Sequence, residues 1–490
     1  MTYSKKHEET LDPENWDTFR VLGHKMLDDM INYLETVGQK QHRLATKEEI
    51  SAIKKPLSRE GVGEEQAYTE FVESMMPSMI AQKSARWWGW VVGGGSPYGM
   101  LTSMLTGGLN LPSDDSFSAA YNVNRQALDW VKEMLNYPKD SSGIFVTGGS
   151  EANFTGLAVA RNTMAEVDMK TAGVQGVPHK MTVYVSEEGH HCLERSVELL
   201  GLGKDTLHWI PTDDQYRIRL DLLRESIDTD RRNGFHPFCV IGCAGTVNTG
   251  AFDDLNALAD IAAKERMWLH VDGAFGSWVK ISETHKHLAD GLERADSLAV
   301  DLHKWMSMPY GLGCTLTRHP REHLKTFVYG EEAAYVKYDL DKPIEELLGT
   351  SMFMGLRLCN ETLPLKVYLL LRAYGSERFG RVVQQNLDQI KYLEGLIRKD
   401  PSFEISAPVS SNIVCFRYKP TGLSADKVDE LNRLIFQGSL EKTPGIISDT
   451  TIKGRYTLRA CNVNHRSKME DFDWLVAEVK RIGEGLVSRM

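Results

Sequence analysis

From about residue 84 to residue 373 the chain alternates short apolar runs with helical ones, and this alternation restricts the fold more than any other feature. Ile144-Phe145-Val146-Thr147 leads into Gly148-Gly149-Ser150-Glu151-Ala152 and a helix through Ala160. Met181-Thr182-Val183-Tyr184-Val185 precedes a helix near 191–201, and Cys239-Val240-Ile241-Gly242-Cys243 precedes one at 254–264. Strand-helix alternation of this kind predicts an α/β architecture, a mostly parallel sheet covered on both faces. Such sheets bind ligands outside the carboxyl ends of their strands, so polar residues at those ends become the candidates.

The flanks read differently. Up to residue 83 the chain is polar and amphipathic, as in Trp16-Asp17-Thr18-Phe19-Arg20-Val21-Leu22, with apolar residues at three- and four-residue steps. With no strands of its own, this segment is expected to be a helical arm laid on a partner subunit or on the main body. Beyond the body come helical patterns at about 356–373 and 376–398, strands near 403–407, 413–418 and 455–459, and a last helix at about 469–487. Helices segregated from a short sheet predict a separate α+β unit. The expected division is therefore 1–83, 84–373 and 374–490, as 490 residues are too many for one core.

A net charge of -10 argues against a nucleic-acid or anionic-membrane partner. No run approaches the roughly 18 apolar residues of a membrane span, and the first residues lack the apolar stretch of a signal peptide. The seven cysteines are odd in number and scattered, which predicts reduced thiols in a cytoplasm with neither disulfides nor a metal site.

Two strand ends carry the chemistry. Asp301-Leu302-His303-Lys304-Trp305 follows the apolar run Ser297-Leu298-Ala299-Val300, and His270-Val271-Asp272-Gly273-Ala274 closes another. Burying an ammonium without a partner costs several kcal/mol, so a lysine placed here reaches water or forms a covalent adduct. Lys304 and Asp272 together are the parts that hold pyridoxal phosphate: an amine for its aldehyde and an anion for its ring nitrogen. Small Gly273 and Ala274 leave room for a flat ring. At Gly148-Gly149-Ser150 the backbone can approach an anion at a helix start, with Ser150 as the cap, although a plain tight turn explains the same residues. His190 and His191 suit either stacking on a ring or a surface helix start. Thr246, in Gly245-Thr246-Val247-Asn248-Thr249-Gly250, serves a ring substituent or a turn.

Taken in order, Thr-Gly-Gly-Ser-Glu-Ala-Asn, His-His-Cys-Leu-Glu-Arg, Gly-Thr-Val-Asn-Thr-Gly-Ala-Phe-Asp, His-Val-Asp-Gly-Ala and Asp-Leu-His-Lys-Trp resemble the group II pyridoxal-phosphate amino-acid decarboxylases. That family includes the aromatic-L-amino-acid and glutamate decarboxylases, and the resemblance spans nearly the whole chain. It implies a fold-type I, aspartate aminotransferase-like enzyme with a seven-stranded sheet, working as a homodimer with shared active sites. It makes Lys304 the covalent anchor, Asp272 the partner of the ring nitrogen, and His190 and Ala274 the two faces around the ring. Gly148, Gly149 and Ser150 are then expected at the phosphate, Thr246 near the ring and His303 beside the cofactor. The chain departs from the family's usual residues at Gly148 and at Asp301, where a carboxylate beside a phosphate is unfavourable unless protonated or turned away.

Tyr329-Gly330-Glu331-Glu332-Ala333-Ala334-Tyr335 resembles the family's mobile catalytic loop. Tyr335 stands where the family's tyrosine protonates the α-carbon after carbon dioxide leaves, whereas relatives with phenylalanine there form aldehydes with oxygen. Arg86-Trp87-Trp88-Gly89-Trp90-Val91-Val92 matches the segment lining the substrate side chain. Trp88, Trp90 and Val91 there predict an apolar pocket and an aromatic amino acid as substrate. Glutamate or aspartate would need a cation, for which Arg86 is the local candidate. Another pyridoxal enzyme (an aldehyde synthase, an aminotransferase or a lyase) and a catalytically silent binding subunit are the competing classes. Product identity separates the first, and a protein that stays colourless with added cofactor would mark the second.

Overall fold

In the computed structural model the described residues are 10–39, 45–57, 59–79, 82–111, 119–328, 353–358, 361–442 and 445–489. Seven strands form the main sheet: β1 (Ser142–Val146), β2 (Met181–Ser186), β3 (Leu207–Ile210), β4 (His236–Cys243), β5 (Trp268–Asp272), β6 (Ser297–Asp301) and β7 (Gly313–Thr317). Their order is β1-β7-β6-β5-β4-β2-β3. β7 runs antiparallel to both its neighbours, and the other pairings are parallel. β1, β2, β5, β6 and β7 are buried along their whole length, as a sheet covered on both faces requires. The sequence reading missed β7, where threonines interrupt the apolar pattern and no helix separates it from β6.

Helix Gly149–Met164 packs across β4, β5, β6 and β7. Its approach depends on Gly156, where a β-carbon would lie 2.7 Å from the ring of His270. That ring is fully buried, its Nδ1 bonded to Ser297 Oγ at 2.7 Å and its Nε2 to Asn153 Oδ1 at 2.8 Å. A small residue thus lets the helix sit low enough to bring its N-terminus to the strand ends.

Four antiparallel strands, β8 (Phe403–Ile405), β9 (Ile413–Tyr418), β10 (Ser448–Ile452) and β11 (Arg455–Cys461), form the second sheet in the order β10-β11-β9-β8. The connecting helix Leu363–Lys399 breaks at Gly375, whose φ of 70° is left-handed. It begins seven residues later than the expected start near 356. The segment from Arg86 to Trp88 docks on this second unit, with Trp88 N–H bonded to the Ile446 carbonyl at 2.7 Å and the Trp88 carbonyl to Cys461 N–H at 2.9 Å. In the N-terminal segment, helix Trp16–Thr36 buries none of its residues and exposes Trp16, Phe19, Val21, Met26 and Ile31. The six described cysteines are free and buried. No helix among the described residues is long and apolar enough to cross a membrane.

Burial sets an acid limit on this fold. It pushes His270, His323 and His465 down to about 4, while in the unfolded chain they titrate near 6.5. Between those values the unfolded chain binds more protons, so stability falls as pH drops from about 6.5 to 4, on the order of a few kcal/mol for each fully buried ring. Asp253, raised to about 6 by burial, acts in the opposite direction and offsets part of this. Urea unfolding at pH 7 and pH 4.5 should give a clearly lower midpoint at the acid pH. Equal midpoints would contradict the neutral-histidine assignment.

Candidate active site

The carboxyl ends of β1, β2, β4, β5 and β6 open onto one cavity of about 570 Å³. Lys304, Asp272, Ala274, His190, His303, Thr246 and the Gly148-Gly149-Ser150 turn all line it, although they come from five separate stretches of chain. The convergence follows from parallel strands, which deliver all their carboxyl ends to one edge of the sheet.

Lys304 lies in the turns after β6 with its side chain about a quarter exposed, and its Nζ lies 2.7 Å from Asp301 Oδ2. Asp301 is buried, and neither of its carboxylate oxygens accepts a well-aligned hydrogen bond from the described residues, among which the close lysine ammonium is its main compensation. The carboxylate is therefore turned to the lysine, yet it lies against the glycine turn: a β-carbon on Gly149 would meet Asp301 Oδ2 at 2.9 Å and the Ala274 Cβ at 3.0 Å. Gly148, not Ser150, is the N-cap of helix Gly149–Met164, and no side chain caps it. The first N–H groups of this 16-residue helix have no partner within it, and its first residues, Gly149, Ser150 and Glu151, line the cavity.

Asp272 ends β5, and its Oδ1 accepts the Ala274 N–H at 3.1 Å. His190 Nδ1 accepts the Cys192 N–H at 3.1 Å, so the neutral ring carries its proton on Nε2. Burial lowers the His190 pKa, opposed by nearby Asp272. His191 points away, its side chain exposed and its ring edge against Trp209. His303 donates from Nδ1 to the Leu312 carbonyl at 3.1 Å and leaves Nε2 4.0 Å from Asp301, while burial lowers its pKa. Thr246 Oγ1 accepts the Ala251 N–H and pairs with Thr249 Oγ1 at 3.0 Å, so its hydroxyl is engaged within its own turn.

The aromatic segment divides. Trp90 and Val91 line the cavity, but Trp88 does not. It is fully buried in the second unit's core, 5.0 Å from the Phe472 ring, with Nε1 donating to Ser467 Oγ at 3.1 Å. The backbone turns at Trp90 (φ 51°), and this separates two tryptophans that the sequence placed on one wall. Arg86 also faces away: it bonds Asp471 at 2.8 Å and stacks on Trp474. Tyr335, like Tyr329 and Tyr338, lies outside the described residues.

Sequence reasoning missed Arg459. Buried on β11, it donates to the backbone carbonyls of Trp90, Val247 and Asn248, fixing two cavity walls from behind. A buried arginine inside a strand leaves no local sequence signal of the loops it will meet.

These residues fit pyridoxal phosphate. The backbone cradle has no room for a β-carbon at Gly149, the first residues of helix Gly149–Met164 line the cavity as an anion site would require, and an amine and a carboxylate line the same cavity. Among the described residues no group of three or more His, Cys, Asp or Glu is placed to hold a metal ion.

The pyridoxal-dependent decarboxylase conserved domain matches residues 48–419. An aromatic-L-amino-acid decarboxylase of Bacillus atrophaeus is 32% identical over 389 residues, 79% of this chain and 78% of that one. An aspartate 1-decarboxylase of Aliivibrio fischeri is 26% identical over 415 residues, 79% of this chain and 74% of that one. A solved structure of Oryza sativa TDC with PLP and tryptamine superposes with a TM-score of 0.88 at 23% identity, covering 97% of this chain and all of that one.

Proposed function

Since the chain belongs to the pyridoxal-dependent decarboxylase family, we propose that it converts an aromatic L-amino acid to the arylalkylamine and carbon dioxide in the cavity around Lys304. One observation carries the aromatic reading. Among the described residues lining the cavity, Lys304 is the only lysine or arginine, and Asp301 already holds it. A side-chain carboxylate on the substrate would find no free cation, because Arg86 and Arg459 are bonded elsewhere. An aromatic ring instead meets Trp90, Val91, Val247 and Phe275.

When bound, the cofactor supplies an electron sink joined to the substrate's α-carbon. The protein's residues do the rest. Lys304 anchors the cofactor and gives way to the substrate amine, Asp272 keeps the ring nitrogen protonated, and His190 presents Nε2–H over the ring face opposite Ala274. Tyr335 delivers the proton to the α-carbon. Tyr335→Phe is expected to shift product from amine toward aldehyde with oxygen consumption, as measured by product mass spectrometry and an oxygen electrode. Unchanged amine output would remove Tyr335 from that role.

The same reading includes a homodimer, in which a second copy covers the apolar face of helix Trp16–Thr36. It also includes the division into arm, cofactor-binding body and small unit, supported by the two sheets and the break at Gly375. The free buried thiols support a reducing, cytoplasmic setting.

The test is product analysis after incubating the cofactor-loaded protein with tryptophan, tyrosine, phenylalanine, dihydroxyphenylalanine, glutamate and aspartate. An arylalkylamine with matching carbon dioxide is expected. Amines from the acidic substrates alone would keep the reaction and overturn the pocket.

A further inference from the structure

We propose that Glu188 determines substrate specificity, its carboxylate accepting a hydrogen bond from a donor on the substrate's aromatic ring, a phenol O–H or an indole N–H. This rests on the aromatic reading above.

Glu188 lies in the turn between β2 and His190 and lines the cavity on the side of Val247. A relay of polar bonds holds it in place. Thr450 Oγ1 donates to Asn248 Oδ1 at 3.1 Å, and Asn248 Nδ2 donates to Glu188 Oε2 at 3.3 Å. The backbone of Asn248 is fixed in turn by Arg459. Glu188 Oε1 has no partner among the described residues. The other carboxylates on the wall are engaged: Glu151 with Arg357 and Thr147, Asp301 with Lys304, and Asp272 with the Ala274 N–H.

A partly buried carboxylate with one weak donor is poorly solvated, and burial accordingly raises its pKa. A ring O–H or N–H supplies the missing charge-assisted bond. A ring without a donor displaces water from Glu188 and returns nothing, which penalises phenylalanine. A side-chain carboxylate meets like charge, which adds a repulsive element against aspartate and glutamate.

The test compares kcat/KM for tyrosine and phenylalanine in the cofactor-loaded wild type, Glu188→Leu and Glu188→Gln. Wild type should favour tyrosine by about tenfold or more, the size of one hydrogen bond to a charged group. Glu188→Leu should remove most of that preference. Glu188→Gln, which retains an acceptor of the same shape, should lose only part of it and serves if the leucine variant does not fold. A tyrosine-to-phenylalanine ratio near one in wild type, or one unchanged in both variants, overturns the assignment while leaving aromatic decarboxylation standing. Carbon dioxide from none of tyrosine, phenylalanine, tryptophan and dihydroxyphenylalanine overturns the aromatic reading, and this assignment with it.

Discussion

Lys304→Arg is expected to lower decarboxylation on the order of 10³-fold or more while the fold persists. The guanidinium keeps a cation beside the buried Asp301, now 2.7 Å from the lysine ammonium, but offers no amine that can link to the cofactor's aldehyde. Lys304→Ala should lose activity equally and also lose stability in the cofactor-free protein. Removing one partner of a buried pair leaves an uncompensated charge, at a cost of about 3–5 kcal/mol. Thermal melts of the two cofactor-free variants separate these effects, with arginine near wild type and alanine well below it. Substantial turnover by either variant would remove Lys304 from the reaction.

Asp272→Asn should reduce kcat/KM by about 10²–10³-fold, comparable to removing one preorganised electrostatic contact. The amide oxygen can still accept the Ala274 N–H now bonded at 3.1 Å, so the loop stays in place. What would be lost is the negative charge proposed to keep the ring nitrogen protonated and the ring electron-withdrawing. The same variant should bind the cofactor more weakly in equilibrium dialysis. A variant with wild-type kcat/KM would show that Asp272 serves only its own turn.

The legible part of this molecule was the part that repeats. Alternation of apolar runs and helices specified a mostly parallel sheet, and that sheet brought Lys304 and Asp272 to a common edge although 31 residues of chain lie between them. Residues whose position depends on a single backbone turn were not legible. Trp88 and Trp90 look equivalent in sequence, yet the left-handed conformation at Trp90 sends one into the second unit's core and the other to the cavity. Ser150 resembled a cap, but the helix starts two residues earlier than such a cap would place it, and Gly148 takes that position. Glu188 carried no signal in the sequence, because its significance depends on Asn248 and Thr450, 60 and 262 positions further along the chain. Arg459 was invisible for the same reason. Its donors reach loops that only the folded chain brings together.

The most direct test of this account is borohydride reduction of the cofactor-loaded protein followed by peptide mass mapping. The account predicts one pyridoxyl label, carried by the peptide that contains Lys304. A label on another lysine, or none on a protein shown to retain cofactor, would contradict it.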